Sequence, residues 1–281
     1  MHTGVLVVTG TGGIGQAALS RLSIGRRVLV GDVSEESLAS TAERLRGSGH
    51  DVTTQVVDVS DRASVDDFAR TADGLGPVMA LVHTAGVSPA MGTAEMMLKV
   101  DYLGTALVTD AFGGIVARGG AGVVMSSIAG HVGPAFSPEL ARSVALTPAD
   151  ELLGVPEAAP ENFPHPSMAY AFAKQANRLR VAADAKAWAA RGARLNSISP
   201  GLISTPLGQL ELASDTGANM RALMAMGAIT RIGTPEDVAG AIDFLVSPAA
   251  GFITGNDLLV DGGMVGALRV GRESLSAMGG H

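Results

Sequence analysis

The sequence predicts a single-domain α/β fold, a doubly wound parallel sheet of about seven strands with helices on both faces. Three observations predict it. Short β-branched runs alternate with longer segments of helical period along most of the 281 residues. The strand candidates are apolar nearly throughout, as expected where helices cover both faces of a parallel sheet. The first strand runs straight into a glycine turn that opens a helix.

Taken in order, the strand candidates are VLVVT (5–9), RVLVGD (27–32), VTTQVVD (52–58), VMALVH (78–83), GVVMSS (122–127), ARLNSIS (193–199) and DLLVD (257–261). Between the second and third lies SEESLASTAERLR, with Ser34 suited to cap a helix. TPEDVAGAIDFLV opens with Thr234, Pro235 and Asp237, a capping-box start. Residues 130–166 hold seven of the thirteen prolines, which rules out a long regular helix and reads as an insertion. One domain is expected to span 1–265. The glycine-rich stretch 266–281 is read as a tail without an element.

Composition narrows the function. A hydrophobic fraction of 47% and a mean hydropathy of +0.30 describe a globule with one sizeable core. No apolar run approaches the roughly 20 residues that a membrane-spanning helix needs. The start, MHTG, lacks the features of a secretory signal, so a cytoplasmic location and no membrane partner are expected. The chain has no cysteine, which excludes disulfides, thiol catalysis and thiolate metal sites. A net charge of −7 without a Lys/Arg-rich run argues against nucleic acid, and no metal site is expected.

The turn TGTGGIG (9–15) spaces Gly10, Gly12 and Gly15 as G-x-G-x-x-G, the Rossmann-type dinucleotide fingerprint, with Gly13 and Ile14 opening the helix. The spacing gives a tight turn, close approach of backbone to a pyrophosphate, and helix N–H groups aimed at phosphate. Asp32, 22 residues beyond Gly10, ends the second strand, where a carboxylate can accept from ribose hydroxyls and would repel a 2′-phosphate. No arginine or lysine stands nearby to bind that phosphate, so the expected cofactor is NAD. Further on, YAFAK places Tyr170 and Lys174 four residues apart, on one helix face. A free tyrosine ionises near pH 10; an adjacent ammonium stabilises the phenolate and lowers that value.

From residue 4 to about 264 the chain resembles the short-chain dehydrogenase/reductase family. The motifs stand in family order: the glycine turn, Asp32, Asp58-Val59, HTAG (83–86), SSIAG (126–130), YAFAK (170–174) and SPGLIST (199–205). Within the family the chain is similar to bacterial 3α-hydroxysteroid dehydrogenase/carbonyl reductases. The resemblance implies Tyr170 as general acid/base, Lys174 to tune it and hold the nicotinamide ribose, and Ser127 rather than Ser126 to bind the substrate oxygen. It also implies cofactor contacts at Asp58, Val59, Thr84, Ala85, Gly86, Pro200, Gly201, Ile203 and Thr205, the last at the carboxamide. It implies a substrate loop at about 202–231 in the catalytic domain, and a homodimer or homotetramer acting on a small-molecule hydrophobic secondary alcohol or ketone, steroid-like or otherwise bulky.

Several features depart from the family. The glycine turn differs in length by one residue. His83 replaces an asparagine and is expected to pack rather than catalyse. Asp101 stands where the family's relay asparagine belongs; either its backbone carbonyl serves a water linked to Lys174, or its carboxylate pairs with Lys174. Ser127 and Tyr170 are 43 positions apart, so residues 130–166 are expected beside the active site, roofing the cleft or blocking a helix-face contact between subunits. Met220, Met224 and Met226 suit a bulky apolar ligand, although methionines at helical spacing also fill cores. A non-catalytic dinucleotide sensor and a nucleotide-sugar epimerase or dehydratase are the competing readings.

Overall fold

A computed structural model of the chain describes residues 4–213 and 217–278. Seven parallel strands, β1 (Val5–Thr9), β2 (Arg27–Asp32), β3 (Asp51–Val56), β4 (Val78–His83), β5 (Val116–Met125), β6 (Arg194–Pro200) and β7 (Asp257–Val260), form one sheet in the order β3-β2-β1-β4-β5-β6-β7. It is a single-domain Rossmann-type fold. The helices are α1 (Gly13–Leu22), α2 (Glu35–Gly47), α3 (Arg62–Leu75), α4 (Ala94–Met97), α5 (Gly104–Gly113), α6 (Ala129–Val132), α7 (Pro138–Leu146), α8 (Pro166–Ala190), α9 (Pro206–Ala213), α10 (Gly217–Met226), α11 (Pro235–Val246) and α12 (Met264–Met278).

Alternate strand residues feed two cores. Val5, Val7 and Leu29 pack with Phe68 of α3, Leu107 of α5 and Trp188 of α8, whereas Leu6, Val8 and Val30 pack with Leu19 of α1, Leu38 of α2 and Ile242 of α11. Both faces are dry, which is why the strands lack polar alternation. The order of the strands reverses across β1 and β4, and ligands of such sheets bind beyond the strand ends at that switch. Local signals set the helix starts. The Ser34 side chain accepts from the Ser37 N–H, and at α11 Thr234 and Asp237 close a reciprocal capping box behind Pro235.

Three expectations are corrected. Strand β5 ends at Met125, so Ser126 and Ser127 lie just past it rather than within it. The stretch after Gly262 is helical from Met264 to Met278, not a tail without an element; residues 279–281 lie outside the described residues. Its start is fixed by Asp261, whose carboxylate accepts the N–H groups of Gly263 and Val265. Burial of Met264 and Val265 against Ile128 and Leu202 offsets the glycine cost. Residues 130–166, finally, line neither of the two cavities described below. The longest helix in the segment has nine residues, and the segment buries Val144, Leu152 and Val155 in the core that α5 and α8 share. Arg180 Nη1 donates to the Thr147 carbonyl, and Arg62 bridges Asp110 of α5 to Asp150.

Candidate active site

At the switch point two adjoining cavities open. The larger, about 560 Å³, is walled by Gly10, Gly12, Gly13, Gly15, Asp32, Asp58, Val59 and Ala85. The smaller, about 120 Å³, holds Asp101, Ser127, Tyr170, Lys174, Pro200, Gly201 and Ile203. Ile14, Thr84, Gly86 and Thr205 line both, so the two form one continuous cleft. Every site residue read from the sequence thus reaches this cleft, although they are scattered over nearly 200 positions of the chain.

The glycine turn needs its glycines. Gly10 has φ +90°, and a Cβ there would lie 2.5 Å from the Ala85 nitrogen. A Cβ on Gly15 would lie 2.0 Å from the Gly10 carbonyl oxygen, so this close helix-to-turn contact admits no side chain. The first helical hydrogen bond of α1 is Gln16 N–H to the Gly12 carbonyl. The N–H groups of Gly13, Ile14 and Gly15 in the first turn have no carbonyl within the helix to receive them. Thr84 fixes the neighbouring strand end, its hydroxyl donating to the Thr9 and Gly10 carbonyls. Asp32 is held by the Thr11 N–H and hydroxyl at 2.7 Å each and by the Ser34 N–H at 2.9 Å. An acidic end, a side-chain-free cradle at a helix N-terminus and a lysine at the far end fit the outline of a dinucleotide.

At that far end, Lys174 Nζ lies 5.3 Å from the centre of the Tyr170 ring, as the helical spacing requires. Lys174 is buried, donates to the Met125 carbonyl at 3.2 Å, and lies 2.9 Å from Asp101 Oδ1. The two serines divide their work. Ser126 is buried and donates to the Lys174 carbonyl, fixing β5 to α8, while Ser127 accepts from the Ala129 N–H inside the smaller cavity. Thr205 accepts from the Gly208 N–H and caps α9.

His83 is wholly inside the protein. Its Nδ1 lies 2.6 Å from the Thr9 hydroxyl and its Nε2 3.3 Å from that of Thr105. The Thr105 proton already goes to the Asp101 carbonyl, so Nε2 carries the ring hydrogen and Nδ1 accepts. Burial, reinforced by the Lys174 charge, pushes the imidazole pKa down to about 3, so the ring is a neutral packing group.

Of the two readings of the methionines at helical spacing, core filling holds for Met220 and Met224. Met220 and Met224 pack with Met264 and Leu202 in a separate small core, and Met226 lines neither cavity. The methionines of the larger cavity are Met91 and Met96, joined by Val100, Leu207 and Leu210, and Met125 lines the smaller one. No period marks Met91 and Met96, which lie on a short turn and a four-residue helix. Asn177 was also missed. Buried beside Lys174, it donates to the Asp101 carbonyl at 2.8 Å. Among the described residues no group of three or more His, Asp or Glu side chains could hold a metal ion, and no helix is long and apolar enough to cross a membrane.

Comparison with known proteins assigns this arrangement to a family. The short chain dehydrogenase model matches residues 3–139, and the enoyl-(acyl carrier protein) reductase model of the same group matches 157–265. A short-chain dehydrogenase/reductase of Alternaria brassicicola is 37% identical over 269 residues, covering 95% of this chain and 98% of its own. The chain belongs to the short-chain dehydrogenase/reductase family. This oxidoreductase is also 30% identical over 246 residues to the 3-alpha-hydroxysteroid dehydrogenase/carbonyl reductase of Comamonas testosteroni, with 82% and 93% of the two chains covered. The NADH complex of a 3-alpha-hydroxysteroid dehydrogenase from Pseudomonas sp. B-0831 superposes with a TM-score of 0.74 at 28% identity, over 95% and 98% of the chains. The stretch 140–156, within the segment that packs on α8, falls between the two family models.

Proposed function

We propose that this dehydrogenase/reductase interconverts a hydrophobic secondary alcohol and its ketone with NAD(H). The observation that carries the reading is that Ser127, Tyr170 and Lys174 share one small cavity, continuous with a dinucleotide-shaped cleft and flanked by an apolar wall. A bound nicotinamide dinucleotide supplies or accepts the hydride. In reduction, Tyr170 gives its phenolic proton to the carbonyl oxygen; in oxidation its phenolate takes the alcohol proton. The Ser127 hydroxyl donates to the same oxygen and stabilises charge that develops there. Lys174, on the same helix face, sets the charge beside the phenol and is placed to hold the ribose of the nicotinamide.

Asp32 supports NAD over NADP, because Thr11 and Ser34 fix its carboxylate at the end of the larger cavity where a 2′-phosphate would have to fit. The NADH bound to the Pseudomonas relative is consistent with this. Met91, Met96, Leu207 and Leu210 support a bulky apolar substrate, a steroid-like alcohol being one such shape. The protein is read as cytoplasmic and as a homodimer or homotetramer. The open β7 edge, flanked by the exposed Phe244 and Phe252, supports pairing there, since residues 130–166 cover α5 and α8. The test is a spectrophotometric assay of nicotinamide reduction against a panel of apolar secondary alcohols, with NAD and NADP in parallel. Like charges in contact cost several kcal/mol, so kcat/KM with NAD is expected to exceed that with NADP about a hundredfold or more. A preference for NADP would overturn the cofactor assignment.

A further inference from the structure

Asp101 lies on a π-helical turn, Leu98–Leu103, inserted between α4 and α5. Such turns re-aim side chains that a regular helix would point elsewhere. Here the side chain is completely buried. Its Oδ1 sits 2.9 Å from Lys174 Nζ, and its Oδ2 accepts the Val87 N–H at 3.4 Å. The backbone carbonyl of the same residue is occupied twice, by the Thr105 hydroxyl at 2.8 Å and by Asn177 Nδ2 at 2.8 Å. A carbonyl oxygen has two lone pairs, and both are used. Of the two routes by which this position could serve Lys174, the carbonyl is therefore closed, and the carboxylate is engaged.

We propose that Asp101, locked by Asn177, is the counter-ion of Lys174, and that by cancelling the ammonium charge it keeps Tyr170 a protonated phenol near neutral pH, poised to donate to a carbonyl. The inference rests on reading Tyr170 as the proton-transfer group. Charge balance in the cavity is simple. The titratable groups lining it are Asp101, Tyr170 and Lys174. His83, behind them on β4, is neutral. Asp32 and Asp58 line the adjoining cavity, and Arg180 and Asp184, further along α8, pair with each other. Burial raises the Asp101 pKa, and the Lys174 ammonium 2.9 Å away opposes that rise.

The experiment is a tyrosinate absorbance titration of the dinucleotide-free protein, which reads ionisation without turnover. The chain has only two tyrosines, and burial pushes Tyr102 far up in pKa, so Tyr170 supplies the accessible transition and Tyr170→Phe supplies the baseline. An adjacent ammonium that keeps its net charge lowers a partner's pKa by about 1–3 units. The wild-type midpoint is thus expected above about 9, close to the free value of about 10. Asp101→Asn should lower it by about 1–2 units, and Asp101→Glu should leave it near wild type. A wild-type midpoint at or below about 8, or an Asp101→Asn midpoint equal to or above wild type, would overturn the proposal. If Asp101→Asn fails to fold, the wild-type midpoint decides alone. Turnover lost in Tyr170→Phe with an unmoved Asp101→Asn midpoint would refute the counter-ion and leave the enzymatic reading standing.

Discussion

Replacing Tyr170 with phenylalanine is expected to lower kcat by about 10²–10⁴-fold, the usual contribution of a positioned acid or base. The change removes only the hydroxyl. The ring, which packs beside the core that α8 shares with α5, stays in place, and with it the position of Lys174. Binding of NADH, followed by quenching of protein fluorescence, should therefore be retained within about tenfold, because a single peripheral hydrogen bond is worth about 0.5–1.5 kcal/mol or less. The split between kcat and Kd is the informative result. Equal losses in both would mean that the variant disturbs the helix, whereas unchanged turnover would remove Tyr170 from the chemistry.

The second large effect is expected at Gly15. A Cβ there would lie 2.0 Å from the Gly10 carbonyl oxygen and 2.9 Å from the Thr84 hydroxyl. The first is backbone and cannot rotate away, so Gly15→Val must push α1 off the turn or the turn off β4. Overpacking of this kind costs about 1–3 kcal/mol, and here it falls on the cradle itself. Titration calorimetry should show dinucleotide affinity weakened by about 2–3 kcal/mol, or roughly 30- to 150-fold. Thermal unfolding should also move to lower temperature. Wild-type affinity in this variant would mean that the turn does not hold the pyrophosphate.

Much of the fold was legible because its elements obey local rules. Residues 5–9, 27–32 and 78–83 read as strands and are strands to the residue, since double-sided burial makes them uniformly apolar. Ser34 and Thr234 announce their helices by side-chain chemistry that needs no distant partner. The site was legible for a different reason: the glycine turn, Asp32, Ala85, Ser127 and Gly201 each end or follow a separate strand, and a parallel sheet gathers such ends at one side. What failed was whatever depended on a distant neighbour. Met220 and Met224 show the same spacing whether they face a ligand or Met264. Helix α12 is hidden by Gly266 and Gly271 until Asp261 and the core beneath Met264 are seen. At Asp101 the sequence left carbonyl and carboxylate as alternatives. Asn177, which closes the first, meets Asp101 only through the packing of α8 on the π-helical turn.

The central claim is that the phenol, the ammonium and the serine hydroxyl surround the reactive end of a bound dinucleotide. A crystal structure of the protein with NAD tests it most directly. The nicotinamide should occupy the smaller cavity, beside Ser127, Tyr170 and Lys174, with the pyrophosphate over the turn at Gly12–Gly15 and the adenosine at Asp32. Density for the adenosine at Asp32 with the nicotinamide turned away from Tyr170 would contradict it.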